Sequence, residues 1–210
     1  MEGRRRGTSL EAVLEAAGAL FGEKGFHETS TDDLAAFLGI SKPTLYKHCT
    51  SKAAILQKVV ARHHERLIAE AHAISDRDGQ PLDQLHELFL FQSSYVIKYR
   101  SEMRVIEGES RRLPEPSEIN QLSDIYLAFV KRMNTSCQRA KVLRDDVPLE
   151  ILARSFAALA LWPSKWFEHR PSGLTEEDVT DGQWRLFVQG AGRPQCDLES
   201  VNRGKDRVLK

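Results

Sequence analysis

The sequence predicts an all-α protein: an amino-terminal three-helix helix-turn-helix head, then a larger helical-bundle body. Three observations predict this class. Apolar residues recur at helical spacing along most of the 210 residues, and no segment alternates convincingly as a strand does. Residues 30–49 carry the cap and turn signals of two short, consecutive helices. Residues 149–190 hold two further apolar helical segments.

The first predicted helix begins near Leu10 and is amphipathic. Gly22 and Gly25 predict its end, because glycine terminates helices without a Cβ penalty. Its apolar positions share one helical face: Leu10, Val13, Leu14, Ala17, Leu20 and Phe21.

A second, short helix is predicted by its cap and its glycine stop. Ser30 or Thr31 can cap it. Asp32 and Asp33 place negative charge in its first turn, where the helix dipole favours it. Gly39 follows the last apolar residue and predicts a tight turn.

The third helix starts at Lys42, with Ser41 as its cap and Pro43 just inside. Leu45 is its only strong apolar anchor. Its other main side chains donate hydrogen bonds, and none is acidic: Thr44, Tyr46, Lys47 and His48. Two short helices joined at a glycine, the second basic and polar, suit the DNA major groove. The sequence therefore predicts DNA binding.

Four runs follow one another in residues 10–67: LFGEKGF, TSTDDLAAFLGIS, TLYKH and SKAAIL. In this order they resemble the amino-terminal domain of the tetracycline-repressor (TetR) family. The resemblance implies a DNA-binding domain over residues 7–67, with the motif at about 30–49. One departure is Cys49, where the family usually has a phenylalanine that packs the third helix against the first. Cysteine is smaller but still apolar, which puts the stability of the head in question.

The resemblance also assigns the DNA contacts. Thr29 and Thr31 stand where hydroxyls and free backbone N–H groups can hold a phosphate. Lys52, at the start of the next helix, is similar to the lysine with which the family contacts the DNA backbone. The expected set is Thr29, Thr31, Lys42, Pro43, Thr44, Tyr46, Lys47, His48 and Lys52.

Charge supports DNA binding locally rather than overall. Thirty basic and thirty acidic side chains cancel, so the chain carries no formal net charge. A basic cluster precedes the first helix, at Arg4, Arg5 and Arg6, and residues 40–52 contain no acid. A local basic face steers toward phosphates even in a neutral chain. Whether the three arginines enter a minor groove is left open by the sequence.

The cysteines indicate a reducing compartment. Cys49, Cys137 and Cys196 are odd in number, scattered and without metal-ligand spacing. No signal-peptide pattern is present, and the longest apolar run, residues 156–162, is far too short to span a bilayer. We expect a cytoplasmic protein with no membrane partner, no metal and no cofactor.

The body is predicted over residues 68–190, followed by a disordered polar tail at 191–210. Pro163 predicts a kink, or a local loss of the hydrogen-bond ladder, in a helix from Leu149 to about His169. Residues 175–178 predict a capping box for the last helix.

One head contacts too few base pairs for useful specificity, which predicts two heads on a near-palindromic operator, with half-sites about 34–36 Å apart. In the family, the last two helices pair with those of the partner subunit. The expected interface residues are Leu152, Phe156, Leu159, Phe187 and Val188. The alternative is that these residues only fill the core of one chain.

The central helices supply enough large side chains to line an apolar pocket, although such residues also fill cores. The expected lining is Phe89, Tyr95, Met103, Ile106, Tyr126, Phe129, Trp162 and Trp166. The runs EGESRRLP and WPSKWFEHRPSGLTEEDV are similar to a subgroup of the family that regulates fatty-acid or steroid breakdown and responds to CoA thioesters. Pro163 and the run CQRAKVLRDDVP depart from that subgroup. A hydrophobic effector, a CoA thioester being one candidate, is thus expected to release DNA.

The expected function is that of a ligand-responsive, homodimeric transcriptional repressor. An enzyme is one alternative, but His63-His64-Glu65 lacks the spacing of a zinc-binding HExxH helix. No nucleophile elbow, phosphate loop or dinucleotide fingerprint is found in the sequence. A helical protein–protein adaptor is the other alternative, and it would show no salt-dependent DNA binding.

Overall fold

The computed structural model describes residues 9–110, 118–169 and 171–193. Every regular element within these ranges is helical, as predicted, and one isolated bridge joins Leu143 to Gly192. The helices are α1 (Leu10–Lys24), α2 (Thr31–Leu38), α3 (Lys42–Tyr46), α4 (Lys52–Ser75), α5 (Pro81–Lys98), α6 (Arg100–Ser110), α7 (Glu118–Arg139), α8 (Leu149–Leu161), α9 (Pro163–Trp166) and α10 (Glu176–Ala191), with a 3-10 turn at Phe167–His169.

The helices form two compact units. Among the described residues, the head unit comprises 9–65, 99–110 and 118–122, and the body unit comprises 66–98, 123–169 and 171–193. The predicted boundary near residue 67 assigned residues 99–122 to the body. In the structure α6, which lies in that segment, packs against α1.

The head unit has its own apolar core, to which α1 through α4 all contribute. Fully buried members include Phe21 of α1, Leu34 of α2, Leu45 of α3 and Leu56 of α4. Cys49 belongs to this core, and burial raises the pKa of its thiol. The cysteine therefore keeps the apolar contact that the position requires.

Two glycines of α1 let α6 approach closely. A Cβ on Gly22 would lie 2.9 Å from Ser101 Cβ and 3.1 Å from the backbone nitrogen of Glu102. A Cβ on Gly18 would lie 2.1 Å from Glu102 Oε2. Gly22 was expected to end the helix, but α1 continues to Lys24 and Gly25 follows it with φ 93°. Gly22 serves packing rather than termination.

The carboxylate of Glu102 joins α6 to α4 inside the head unit. Its Oε2 lies 3.0 Å from His63 Nε2 and 3.4 Å from Arg62 Nη2. Arg62 also lies 3.5 Å from a carboxylate oxygen of Glu11 in α1. Both α4 side chains are almost completely buried, so this group of charges depends on α6 being in place.

The body unit is built around α5, α8 and α10. Phe89, Phe156, Trp184 and Phe187 pack ring against ring, with neighbouring centroids 5.4 to 5.8 Å apart. Of the two outcomes predicted at Pro163, the structure shows the loss of the hydrogen-bond ladder: α8 ends at Leu161 and α9 begins at Pro163, because proline has no N–H to continue the helix.

The carboxy-terminal end of α10 is fixed to the loop between α7 and α8. Thr175 and Asp178 form the predicted capping box at its start. At its end, Arg144 N donates to Ala191 O at 2.8 Å, and Arg193 Nη2 pairs with Asp145 at 2.5 Å. Residues 194–210, with Cys196, and the arginines at 4–6 lie outside the described residues. Among those described, no helix is both long and apolar enough to cross a membrane.

Candidate nucleic-acid interface

The start of α2 is held by a reciprocal cap. Ser30 Oγ accepts from Asp33 N at 3.0 Å, and the Asp33 carboxylate accepts from Ser30 N at 2.8 Å. The Ser30 hydroxyl, which also donates to this carboxylate, and then the Ser30 backbone N–H lower the pKa of Asp33. The predicted capping residue is therefore Ser30, and Thr31 is the first helical residue.

The turn from α2 to α3 depends on Gly39, which has φ 64°. This left-handed conformation costs little only for glycine. Gly39 N donates to Ala36 O at 3.1 Å, and Ile40 N donates to Ala35 O at 3.0 Å, which closes the end of α2. Ser41 Oγ then accepts from Thr44 N at 3.3 Å and starts α3.

The short helix α3 has one side chain in the core and several on the surface. Leu45 is fully buried, and Cys49 in the following turn is buried with it. The outward residues were all predicted as DNA contacts: Lys42, Pro43, Tyr46 and Lys47 are exposed, and Thr44 and His48 are half-buried. The structure thus presents a polar, acid-free face on a glycine turn.

Two contacts tie this face to α2. Lys42 Nζ lies 2.8 Å from an Asp32 carboxylate oxygen, and this acid raises the pKa of Lys42. Tyr46 Oη donates to Thr31 Oγ1 at 3.4 Å. This pairing of Asp32 with Lys42 was not predicted, because ten residues separate the two and no local spacing rule links them. A DNA phosphate must compete with Asp32 for the Lys42 ammonium.

Two predicted phosphate contacts are occupied inside the head unit. Thr29 is fully buried, and its hydroxyl donates to Gly25 O at 2.8 Å. The three N–H groups of Lys52 donate to the carbonyls of Phe26, His27 and Thr29 at 2.8, 3.3 and 2.9 Å. In the DNA-free chain these contacts occupy the Thr29 hydroxyl and the Lys52 ammonium, so their role as phosphate ligands stays a prediction. Both close the loop between α1 and α2.

The eight predicted pocket residues do not line one cavity. Met103 and Ile106 lie on α6 in the head unit, where Ile106 packs against the head core. Trp162 is 52% exposed, and Trp166 packs beside Ile97. The remaining four are buried in the body unit: Phe89, Tyr95, Tyr126 and Phe129. Helical spacing placed all eight residues on apolar helix faces, but it could not show which of them belong to the head unit and which to the body unit.

A recess of about 380 Å³ opens elsewhere on the body unit, between the end of α4, the start of α5 and the second half of α7. Its lining is mostly polar, and Arg132 and Asp76 give it both charges. No residue of the predicted pocket takes part. The lining residues are Ser75, Asp76, Pro81, Gln84, Arg132, Met133 and Ser136.

Four of the five predicted interface residues are core residues of a single chain. Leu152, Phe156, Phe187 and Val188 are each at most 4% exposed, and Leu159 is half-buried. A side chain already covered by its own chain cannot contact a partner, so the alternative reading holds for these four. The exposed large apolar residues of α8 and α10 are different ones: Ile151, Leu161 and Leu186.

Comparison with known proteins agrees with this geometry. Residues 13–59 match the profile described as bacterial regulatory proteins of the tetR family. Residues 78–191 match the profile described as a tetracyclin repressor-like C-terminal domain. Together the two profiles leave only the ends and a short central segment unmatched.

Relatives of known sequence or structure are regulators. The HTH-type transcriptional repressor KstR2 of Mycobacterium tuberculosis is 26% identical over 182 residues, covering 84% of this chain and 88% of that protein. UidR of Escherichia coli K12, an HTH-type transcriptional regulator, is 34% identical over 141 residues, covering 63% and 68%. The crystal structure of AibR with isovaleryl coenzyme A and operator DNA superimposes with a TM-score of 0.71 at 25% identity, covering 84% and 96%.

Proposed function

This chain belongs to the tetracycline-repressor (TetR) family and is a helix-turn-helix transcriptional regulator; we propose that it represses transcription as a homodimer on a near-palindromic operator. One observation carries the DNA-binding part of this proposal. Leu45 anchors α3 while Lys42, Tyr46 and Lys47 point outward from the glycine turn, the arrangement that a major-groove helix needs. A cytoplasmic location follows from this role, because a bacterial operator lies in the cytoplasm.

Exchanging Lys47 for methionine tests the recognition face. Removing one phosphate or base-edge charge is expected to weaken operator binding and, for a phosphate contact, to reduce the log–log salt slope by about 1. Lys58→Met is the matched control, because Lys58 is an exposed lysine of α4 outside the motif. Fluorescence anisotropy on DNA flanking the protein's own gene measures both. If wild-type binding is absent or independent of salt, the adaptor alternative is favoured instead.

The homodimer is proposed to form through the outward faces of α8 and α10. Ile151, Trp162 and Leu186 are 55%, 52% and 66% exposed there. Gly182 and Gly190 lie one turn before and after Leu186, and a Cβ at either would meet nothing within 4 Å. The chain itself does not need these glycines, which cost about 1 kcal/mol each in a helix. A closely packed partner helix would explain them.

Leu186→Glu is expected to convert the dimer to a monomer, because a carboxylate would be buried at the centre of this face. Operator affinity should then fall by roughly 10²–10⁴-fold, since the two heads no longer bind as one unit. Sedimentation velocity measures the first effect. Phe37→Glu is the control for oligomeric state, because Phe37 is 61% exposed but lies on α2. A Leu186→Glu protein that remains dimeric contradicts this interface.

The effector is proposed to be a hydrophobic small molecule carried as a CoA thioester. The AibR complex contains isovaleryl coenzyme A, and a solved KstR2 structure is described as that of a ketosteroid transcriptional regulator. An effector that prefers a conformation unsuited to the operator would lower DNA affinity by about 1–3 kcal/mol of coupling. A thermal-shift panel of acyl-CoA and steroid-CoA thioesters tests this class, and no shift with any of them would exclude it.

We propose no catalytic activity. The relatives named above are transcriptional regulators. Within the described residues, no three His, Cys, Asp or Glu side chains cluster in a way that could hold a metal ion.

A further inference from the structure

We propose that Gln92 and Tyr126 form the polar recognition point for the effector inside the body unit, and that they accept an uncharged carbonyl or hydroxyl group. This inference rests on the proposed ligand-responsive function. It specifies the chemistry of the part of the effector that becomes buried.

The pair links α5 to α7. Gln92 is completely buried and Tyr126 is 6% exposed. Tyr126 Oη donates a hydrogen bond to Gln92 Oε1, whereas Gln92 Nε2, at the other end of the amide, has no acceptor among the described residues. If the amide were turned over, the oxygen would be the unpaired end. In either orientation, one end of a buried amide remains for another group.

The surroundings make this unpaired end costly. Phe89 and Val96 share the Gln92 face of α5 by helical spacing, and Val130 follows Tyr126 one turn later on α7. All three are completely buried. A buried polar group without a partner destabilises a fold, so stability alone would favour leucine at position 92. A ligand oxygen that accepts a hydrogen bond from Gln92 Nε2 would explain why a glutamine stands at this position.

The buried polar residues of the body unit indicate the charge of the ligand. Those described in the body unit are all uncharged: Gln92, Ser93, Asn134, Thr180 and Gln183. A buried carboxylate or ammonium needs a counter-charge, and none of these residues supplies one. The buried part of the effector should therefore be a ketone, ester, thioester or alcohol on an apolar skeleton. Any ionised part should remain at the surface.

Access to the pair requires movement. Because both side chains are buried, a ligand reaches them only when α5 and α7 part, which couples binding to a conformational change. The chain continues from α5 directly into α6, which belongs to the head unit. Binding at Gln92 can thus be transmitted along one continuous segment.

The test uses the full chain as wild type, as the double variant Gln92→Leu/Tyr126→Phe, and as Gln183→Leu. The double variant removes both partners, so no orphaned hydroxyl remains. Gln183 is a matched control, because it is a buried glutamine of α10 whose Oε1 also lacks a donor. Thermal unfolding is measured alone and with four probes: a linear methyl ketone, a steroid ketone, decanoyl-CoA and decanoate.

Without probe, the double variant should unfold roughly 2–4 °C higher than wild type. With an uncharged carbonyl probe that stabilises the wild type, it should show at least roughly a ten-fold loss of apparent affinity. Gln183→Leu should keep the wild-type response. Decanoate should not stabilise any of them through this site.

Several results would overturn the inference. One is a double variant less stable than wild type, which would make the pair structural or show that a buried water completes the amide. Others are equal responses of wild type and double variant, a preference for decanoate, or no stabilisation by any uncharged carbonyl probe. If a ketone acts through Gln92 and decanoyl-CoA does not, the proposed CoA-thioester class fails while this inference stands.

Discussion

Gly18→Ala is expected to destabilise the head unit by about 2–4 kcal/mol. The new Cβ would lie 2.1 Å from Glu102 Oε2, so the carboxylate must swing away from His63 and Arg62. Those two side chains are 2% and 5% exposed, and breaking a buried ion pair costs about 3–5 kcal/mol. The higher helix propensity of alanine offsets about 1 kcal/mol of this loss.

Gly108→Ala provides a control of opposite sign. A Cβ at Gly108 of α6 would meet nothing within 4 Å, so alanine should stabilise the helix by up to about 1 kcal/mol. Circular dichroism follows both units, whereas tryptophan fluorescence follows the body unit, which holds Trp162, Trp166 and Trp184. The effect of Gly18→Ala should appear mainly in the dichroism. If both substitutions stabilise the protein, α1 and α6 are not tightly packed at Gly18.

Local signals predicted much of the head and of the ends of the helices. Ser30 with Asp33, Gly39, and Thr175 with Asp178 act through bonds to backbone groups at most four residues away. Their chemistry is therefore readable without a fold. The outward polarity of α3 followed from the single apolar anchor, Leu45. These features explain why the class of fold and the outward polarity of α3 could be predicted.

Long-range contacts could not be predicted in the same way. Both α8 and α10 are apolar on more than one face, so spacing alone did not show that Phe156 and Phe187 are covered while Leu186 is exposed. The partner of Lys42 lies on another helix. A signal for the α6 contact was present, since Gly18 and Gly22 stand one turn apart in an apolar helix. This signal for the α6 contact was not recognised, because Gly22 was interpreted as the end of the helix.

The contacts of the loop between α1 and α2 also could not be predicted from the sequence. The Lys52 ammonium donates to three backbone carbonyls of this loop, and every residue type has a backbone carbonyl. Residue type therefore gave no hint that Phe26, His27 and Thr29 provide them. The ammonium also lies 4.5 Å from the centre of the Phe26 ring, which adds a cation–π contact. The family resemblance favoured a phosphate contact instead, and the two roles make different predictions.

Lys52→Met is expected to weaken operator binding without changing its salt slope. Methionine keeps an unbranched stem but cannot donate to the three carbonyls, so the loop that leads into α2 should lose its fixed position. A hydrogen bond to a charged group contributes about 1.5–3 kcal/mol, and binding weakens as the competent conformation becomes less populated. An affinity loss of roughly 10–100-fold is expected. The melting temperature of the head unit should fall as well.

The dependence of operator affinity on salt concentration distinguishes a lysine that positions the loop from a lysine that contacts a phosphate. A lysine that neutralises a phosphate contributes about 0.9 to the slope of log K against log salt concentration, and Lys47→Met should show this loss if Lys47 contacts a phosphate. Lys52→Met should keep the wild-type slope, as Lys58→Met should. A slope reduced by about 1 in Lys52→Met would mean that the ammonium leaves the loop carbonyls for the DNA backbone. In that case the contacts to Phe26, His27 and Thr29 would describe only the DNA-free protein.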